Sequence, residues 1–532
     1  MKLSNTSHVS ITLFLASLIA TSQSPAAPGS LDTSFNSTGF VIAGGGPFCC
    51  IAQQSDGSLV VAGTQVDSGN GDFSVRGYSA NGSSSWSVRT NIGAASETDD
   101  SVKCMALQTN GRIIVAGSSL VRYDLGGGLD ATFDGDGKVN TNGLGTILGV
   151  ALQADGKILA VGALLARYNT NGSLDTSFNS TGIRTDISGY SIAVQPDQKF
   201  VIMGGGGGHA LQRYNPDGSL DASFDGAGND VGLRAFVLQG DGKVVVVGCA
   251  GGTTPGSDWG LMRFNEDGTR DGGFGNGGRV TTDLGNFEEH AQSVALQSDW
   301  KIVVAGPVST FGIGEYWALA RYNYDGSLDT SFGNGGKVVT TLGQTGASAL
   351  GVTVQRDGRI AAVGWAGPAS ATVARFEGGP FPDITVEQPA GTAPANNSTI
   401  PVAFPPVVLG SSGSLTFTVR NQGGAELRIP TSSKAATGTP GDFTIGPLSA
   451  ATLAPNASTT FTVTFSPTGA GARTATLLIA SNDEDESPFE INITGRQATP
   501  LEAWRQSHFG SPFDAGAAAD LNDPDGDGIA NL

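Results

Sequence analysis

Only 14% of the 532 residues are charged, and the chain holds four cysteines and four histidines. Cys49, Cys50, Cys104 and Cys249 are too few to staple a chain of this length, and none shows C-x-x-C spacing. Neither a disulfide scaffold nor a zinc ribbon is therefore expected. No Ser-His-Asp order, HExxH helix or phosphate loop with its lysine is present. Beyond the N-terminal segment no stretch approaches the eighteen or so apolar residues of a membrane-spanning helix. Basic residues are scarce as well: 29 Lys and Arg stand against 48 Asp and Glu, a formal charge of −19. Such a chain is repelled by phosphate backbones and anionic lipid heads, so no nucleic acid is expected as a partner. What abounds is glycine, 80 residues of it, which points to turn-dense β structure.

The first segment has Lys2, an apolar core from Ile11 to Ala20, and small residues around Ser24, Pro25, Ala26 and Ala27. It reads as a secretory signal peptide over residues 1–27, so the mature chain is expected to be secreted or held at a cell surface.

From residue 30 to residue 376 one phrase recurs, most fully as Arg321 to Gly333, RYNYDGSLDTSFG. A second marker runs with it. Gln54, Gln108, Gln153, Gln195, Gln239, Gln297 and Gln355 each stand nine residues before a glycine, from Gly63 to Gly364. Between them lies a DGK-like turn flanked by Val/Ile-rich runs, a hairpin signal. Each unit thus reads as four short antiparallel strands, the content of one propeller blade.

An Arg-aromatic pair, such as Arg122 and Tyr123 or Arg167 and Tyr168, is followed ten residues after the aromatic by Phe133, Phe178, Phe224, Phe274 or Phe332. This spacing places both rings between adjacent sheets. Asp32, Asp130, Asp175, Asp221 and Asp329 are expected to cap turns and pair with the arginines, with calcium binding as the less simple alternative. The array starts mid-unit with Leu31, Asp32 and Phe35, and it ends at Arg375 and Phe376 without that phrase. Six whole units and one split between the termini make seven, the split that lets a propeller close.

The strings YNTNGSLDTSF (168–178), YNYDGSLDTSFGNGGKV (322–338) and VALQSDWKIVVAG (294–306) resemble the delta-60 repeats of bacterial secreted and surface proteins. That resemblance implies a β-propeller-like array without a characterised reaction, and it names no substrate. The stretch after Tyr78 departs from the pattern, with Trp86 in place of the later Phe, so an irregular outer strand is expected there.

Hairpin length varies around the ring. From the repeat Gly to the aromatic the gaps are 15, 6, 6, 10, 16, 16 and 12 residues in units one to seven, so the long hairpins of units five, six, seven and one are contiguous once the ring closes. Asp258, Trp259, Tyr316, Trp317 and Trp365 on these hairpins are the candidate ligand-binding residues, since aromatics beside acids suit an extracellular glycan or protein. The alternative is that the aromatics are core residues of longer strands.

After Phe381 the repeat stops, and Pro380, Pro382, Pro389 and Pro394 mark a linker. Seven short alternating strands follow between Ile384 and Ile493, the pattern of an immunoglobulin-like sandwich without cysteines. FTVRNQGGAELRI (417–429) and LAPNASTTFTVTFSPTGAGARTATLLIASND (453–483) resemble the Hydin-like immunoglobulin domain, also called choice-of-anchor D. The resemblance implies a structural or adhesive module. In the acidic tail, Asp523, Asp525, Asp527 and Gly528 fit positions 1, 3, 5 and 6 of a DxDxDG calcium loop, and the string resembles thrombospondin type 3 repeats. Ca2+ is therefore the one cofactor expected, against the alternative of a solvated tail.

The expected fold is all-β. It comprises a seven-bladed β-propeller closed by its N-terminal strand (28–380), an immunoglobulin-like β-sandwich (381–497) and a tail (498–532). The expected role is that of an exported, non-catalytic binding, adhesion or scaffold protein of the bacterial cell surface. The rival is a propeller hydrolase or lyase acting on extracellular polysaccharides, because the distances between acid pairs are invisible in sequence.

Overall fold

The computed structural model describes residues 26–514, apart from 68–69, 93–99, 140, 142–144, 205–210, 227–230, 251–256, 286–287, 311–313, 345, 369, 430–433, 437 and 484–485. The expected signal peptide, save its last two residues, and the Asp523–Asp525–Asp527 motif lie outside the described residues. The described chain is nearly all β, with one 3-10 turn and one α-helix. No described helix is long and apolar enough to cross a membrane.

Seven antiparallel sheets follow one another between Phe40 and Phe376. The second is representative, with strands Val102–Leu107, Ile113–Gly117, Leu120–Tyr123 and Lys138–Val139 in that spatial order. Its second and third strands are buried along their whole length. They read as continuous apolar runs because neighbouring sheets cover both of their faces.

The first strands of the seven sheets lie side by side in chain order, and the last of them, Ala347–Val354, lies beside the first, Phe48–Gln53. The seventh sheet takes its fourth strand from the other end of the array. Phe40–Ala43 pairs antiparallel with Ser370–Phe376, joining Phe40 to Ala374 and Ala43 to Ala371.

The repeat residues form one buried unit at each junction. Arg122 Nε meets Asp130 Oδ2 at 2.8 Å, its guanidinium stacks 4.4 Å over Phe133, and Nη1 donates to Thr170 O in the third sheet. The same arrangement recurs at Arg167, Arg213, Arg263, Arg321 and Arg375, each reaching the carbonyl two residues past the next unit's aromatic. Arg375 reaches Ala80 in the first sheet and pairs with Asp32 at 2.6 Å. Asp271, which belongs to this set, was hidden by the divergent phrase TRDGGF.

As expected, the aspartates also cap turns. Ser34 N–H, for instance, donates to Asp32 Oδ1 at 2.9 Å. Burial pushes these carboxyls up, but hydrogen bonds from Ser or Thr (for Asp271, from Lys243 and the Gly273 N–H) and the guanidinium outweigh it, and all of Asp32, Asp130, Asp175, Asp221, Asp271 and Asp329 lie below the usual carboxylate range.

The first sheet departs where the sequence departs. Its outer strand Ser84–Thr90 is well formed but shifts register between Gly77 and Tyr78. Trp86 replaces the arginine link to the second sheet by packing on Gly127, where a Cβ would stand 2.4 Å from the indole. No described cysteine is disulfide-bonded, and Cys49 and Cys50 Sγ stand 3.3 Å apart on an inner strand.

The segment between the two regions is shorter than the prolines suggest. Only 377–383 lacks strand, and Pro389 and Pro394 fall beyond the first strand of the second region, Ile384–Glu387. Two four-stranded sheets follow. One is built from Ile384–Glu387, Gly413–Asn421, Ser458–Phe465 and Phe443–Ile445, the other from Val402–Ala403, Phe489–Arg496, Ala472–Ile479 and Lys434–Ala436. Every expected strand is found. Burial alternates along Ser458–Phe465 and Phe489–Arg496, so one face of each meets a shared core that includes Phe417, Phe461 and Phe465.

The tail differs from expectation at its start, where Pro500–Phe509 is an α-helix. Thr499 and Glu502 form a capping box, Pro500 opens the helix, and Gly510 closes it at φ 70°.

Candidate functional site

The hairpins between second and third strands are long in the first, fifth, sixth and seventh sheets. In the sixth, Ile302–Thr310 and Gly314–Tyr322 are nine residues each, against five and four in the second sheet. The strands of the hairpins in the fifth, sixth and seventh sheets carry the five sequence-predicted ligand residues.

The structure separates those five. Trp259 and Trp317 are fully buried, the first between the fifth and sixth sheets and the second between the sixth and seventh. Trp317 Nε1 donates to Trp365 O at 2.8 Å, tying adjacent sheets. Their assignment as ligand residues is corrected: each is a core ring whose burial stabilises by roughly 2–3 kcal/mol. Asp258, Tyr316 and Trp365 remain half-buried at the rim.

Beside Asp258 stand two carboxylates that sequence reasoning missed. Oxygens of Asp258, Asp283 and Glu289 all lie within 4.8 Å of one another. Glu289 is completely buried, and both its oxygens accept the Leu284 N–H, at 3.0 and 2.8 Å. Its own N–H donates to Ser257 O at 3.2 Å, binding the sixth sheet to the fifth. At this spacing and an effective dielectric near 20, two carboxylate charges repel by about 3 kcal/mol. An all-oxygen set of this kind can hold a proton or a hard divalent cation such as Ca2+. Cys249 Sγ lies 2.7 Å from His290 Nδ1 next to this group. The only sequence signal was the non-repeat insert DLGNFEEH (283–290). A second triplet, Asp383, Asp483 and Glu486, sits where the second region begins, and Asp483 Oδ2 accepts the Ile384 N–H at 2.7 Å.

The inner strands of the seven sheets present a different surface. They carry mostly apolar, small and thiol side chains, and among the described residues their exposed members are Lys103 and Arg234.

This geometry matches a known repeat. The model described as "Domain of unknown function (DUF5122) beta-propeller" matches residues 54–84, 153–178, 195–224, 239–274 and 297–332. The "Abnormal spindle-like microcephaly-assoc'd, ASPM-SPD-2-Hydin" (ASH) model matches 391–487. The chain carries stretches that match the DUF5122 repeat and one that matches the ASH domain. The DUF5122 matches begin at the repeat glutamines and end, in four of the five, at the aromatics that pack between sheets. The ASH match falls within the two-sheet region from Ile384 to Arg496.

Among solved structures, this chain is similar to the extracellular domain of the one-component system BT4673 of B. thetaiotaomicron, at 12% identity and a TM-score of 0.40. That match covers 91% of this chain, which spans about 60% of the other's length. Sqt1 from Chaetomium thermophilum matches at 13% identity and a TM-score of 0.41, over 66% of this chain and 99% of Sqt1. A gluconolactonase, XC5397 from Xanthomonas campestris, matches at 14% identity and 0.31, over 52% and 85%. At these scores none transfers a role to this chain. Comparison with curated proteins gives no match.

Proposed function

We propose that this chain is an exported, non-catalytic recognition protein of the bacterial cell surface. Its head is a seven-bladed propeller closed by the strand Phe40–Ala43, and its ASH region is an immunoglobulin-like, choice-of-anchor D sandwich serving as spacer. The ring is supported by Arg375, which reaches back to Asp32 and Ala80 as the other arginines reach forward to the next sheet.

One observation carries the recognition reading. The repeat's charged and aromatic side chains are consumed in buried junctions, whereas Asp258, Asp283, Tyr316 and Trp365, outside the repeat, collect on the longest hairpins and the insert beside them. A rigid frame with variable side chains at one end suits binding of an extracellular glycan or protein. Calcium at Asp523, Asp525 and Asp527 belongs to the same proposal, and a calorimetric titration of a peptide spanning them tests it: heat on adding Ca2+ supports it, and none overturns it.

The reading is tested by incubating the protein with a polysaccharide panel and a glycan array while assaying new reducing ends and unsaturated products. Retention without product supports recognition, and product release replaces it with the hydrolase or lyase reading.

A further inference from the structure

The turn after each repeat glutamine needs a residue at positive φ, and Gly57, Gly111, Gly156, Gly242 and Gly358 supply it. The fourth and sixth units put Gln198 (φ 67°) and Trp300 (φ 69°) there instead. Bulky L-residues hold this conformation only under constraint, and such outliers cluster at working sites. Gln198 has a local reason, since its Oε1 accepts the Ala154 N–H of the neighbouring unit at 3.0 Å.

Trp300 instead meets two further departures from the repeat. Gly240 occupies a position that carries a side chain in every other unit, and a Cβ there would stand 3.2 Å from the indole. Tyr324 takes the turn position held elsewhere by Ala80, Leu125, Thr170, Pro216, Glu266 and Gly378. Trp300 and Tyr324 stand edge to face, centroids 5.9 Å apart at 81°.

The two rings, with Asp241, Asp299 and Arg428 of the ASH region, line a cleft of about 380 Å³ where the two regions meet. Across the same junction Asn482 Nδ2 donates to Ser298 O at 3.5 Å. Tyr324 OH donates to Asp241 Oδ2 at 2.5 Å, and Arg263 lies 4.2 Å over the phenol ring. Tyr324 is still 38% exposed.

The chemistry narrows the ligand. Asp241 and Asp299 oppose an anion, while Arg428, Arg263 and Lys301, which pairs with Asp299, oppose a cation. A neutral molecule with apolar faces and both donor and acceptor groups meets every side of the cleft. We propose that this cleft binds a neutral pyranose ring of an extracellular glycan, stacked on Trp300 and Tyr324, with its hydroxyls on Asp241, Asp299 and Arg428. The inference rests on the recognition reading above and adds to the long hairpins a second binding place, at the opposite end of the same strands, with its ligand class.

The test uses the full chain and saturation-transfer NMR with the methyl glycosides of glucose, galactose, mannose and N-acetylglucosamine, and with choline and sulfate as charged probes. At least one glycoside is expected to bind. Trp300→Gly, which restores the residue most units carry, weakens that binding about tenfold or more without lowering thermal stability. Tyr324→Ala weakens it as well. Absence of binding by all four glycosides, or preferential binding of choline or sulfate, overturns the proposal. A glycoside held equally well by Trp300→Gly overturns this cleft while leaving recognition in place, and cleavage of a glycoside overturns the recognition reading itself.

Discussion

The contact that joins the two ends of the array is the pair Asp32–Arg375, 343 positions apart in sequence, with Nε to Oδ2 at 2.6 Å. Asp32→Asn keeps the side chain's shape and its acceptor for Ser34 but removes the charge facing a guanidinium that is only 3% exposed. Breaking one side of a buried pair costs about 3–5 kcal/mol. Arg375 keeps its bond to Ala80 O and its stack over Phe35, so the lower end, about 3 kcal/mol, is expected even though Arg359 also loses a 3.0 Å contact with Asp32. Arg184–Asp186 supplies the comparison: the distance is 2.7 Å, but Asp186 is 65% exposed, so Asp186→Asn is expected to cost only about 0–1 kcal/mol. Urea unfolding followed by tryptophan fluorescence measures both, with Asp175→Asn as an equivalent pair within one unit. If Asp32→Asn costs no more than Asp186→Asn while Asp175→Asn costs several-fold more, the terminal pair does not hold the array closed.

Six aspartates with depressed folded-state pKa values favour the native state above their unfolded value of about 4, and that stability is lost as pH falls through the folded values. Unfolding then takes up as many as six protons, so stability is expected to fall by up to roughly 8 kcal/mol per pH unit below about pH 4; a shallow acid transition in calorimetry argues against the shared arrangement. Trp317→Ala, removing a fully buried ring, is expected to cost about 3–5 kcal/mol, whereas Trp365→Ala at the rim costs less, as thermal unfolding will show. At the helix Pro500–Phe509, Arg496 holds Glu502 down to about 2, and Thr499→Ala is expected to remove about 1 kcal/mol and reduce the helical circular dichroism signal. An unchanged signal means that the capping box does not hold that helix.

Most of the frame was legible because it repeats. Seven recurrences of a glutamine, a turn and an Arg-aromatic pair reported packing that must be solved the same way at each junction, and the split phrase at Asp32 and Phe35 pointed to Arg375 and Phe376. The helix is legible as well, in the capping box of Thr499 and Glu502 with Pro500 at its start and Gly510 at its end.

The rim was harder to read. Trp259 and Trp317 sit on long hairpins, and length alone does not say which side of a strand faces solvent; neighbouring sheets cover both faces here and bury both rings. The triplet of Asp258, Asp283 and Glu289 joins two sheets, and Trp300 with Arg428 joins two regions, so neither is local in sequence. Trp300 was nevertheless on view inside the repeat string 294–306, where tryptophan replaces glycine.

The central claim is that the repeats build a frame and that non-repeat residues bind an extracellular glycan without turning it over. Its most direct test is retention of the full chain on an immobilised polysaccharide panel with simultaneous assay of reducing ends. The account predicts retention on at least one polysaccharide with no new reducing ends. New reducing ends, or retention on none, would contradict it.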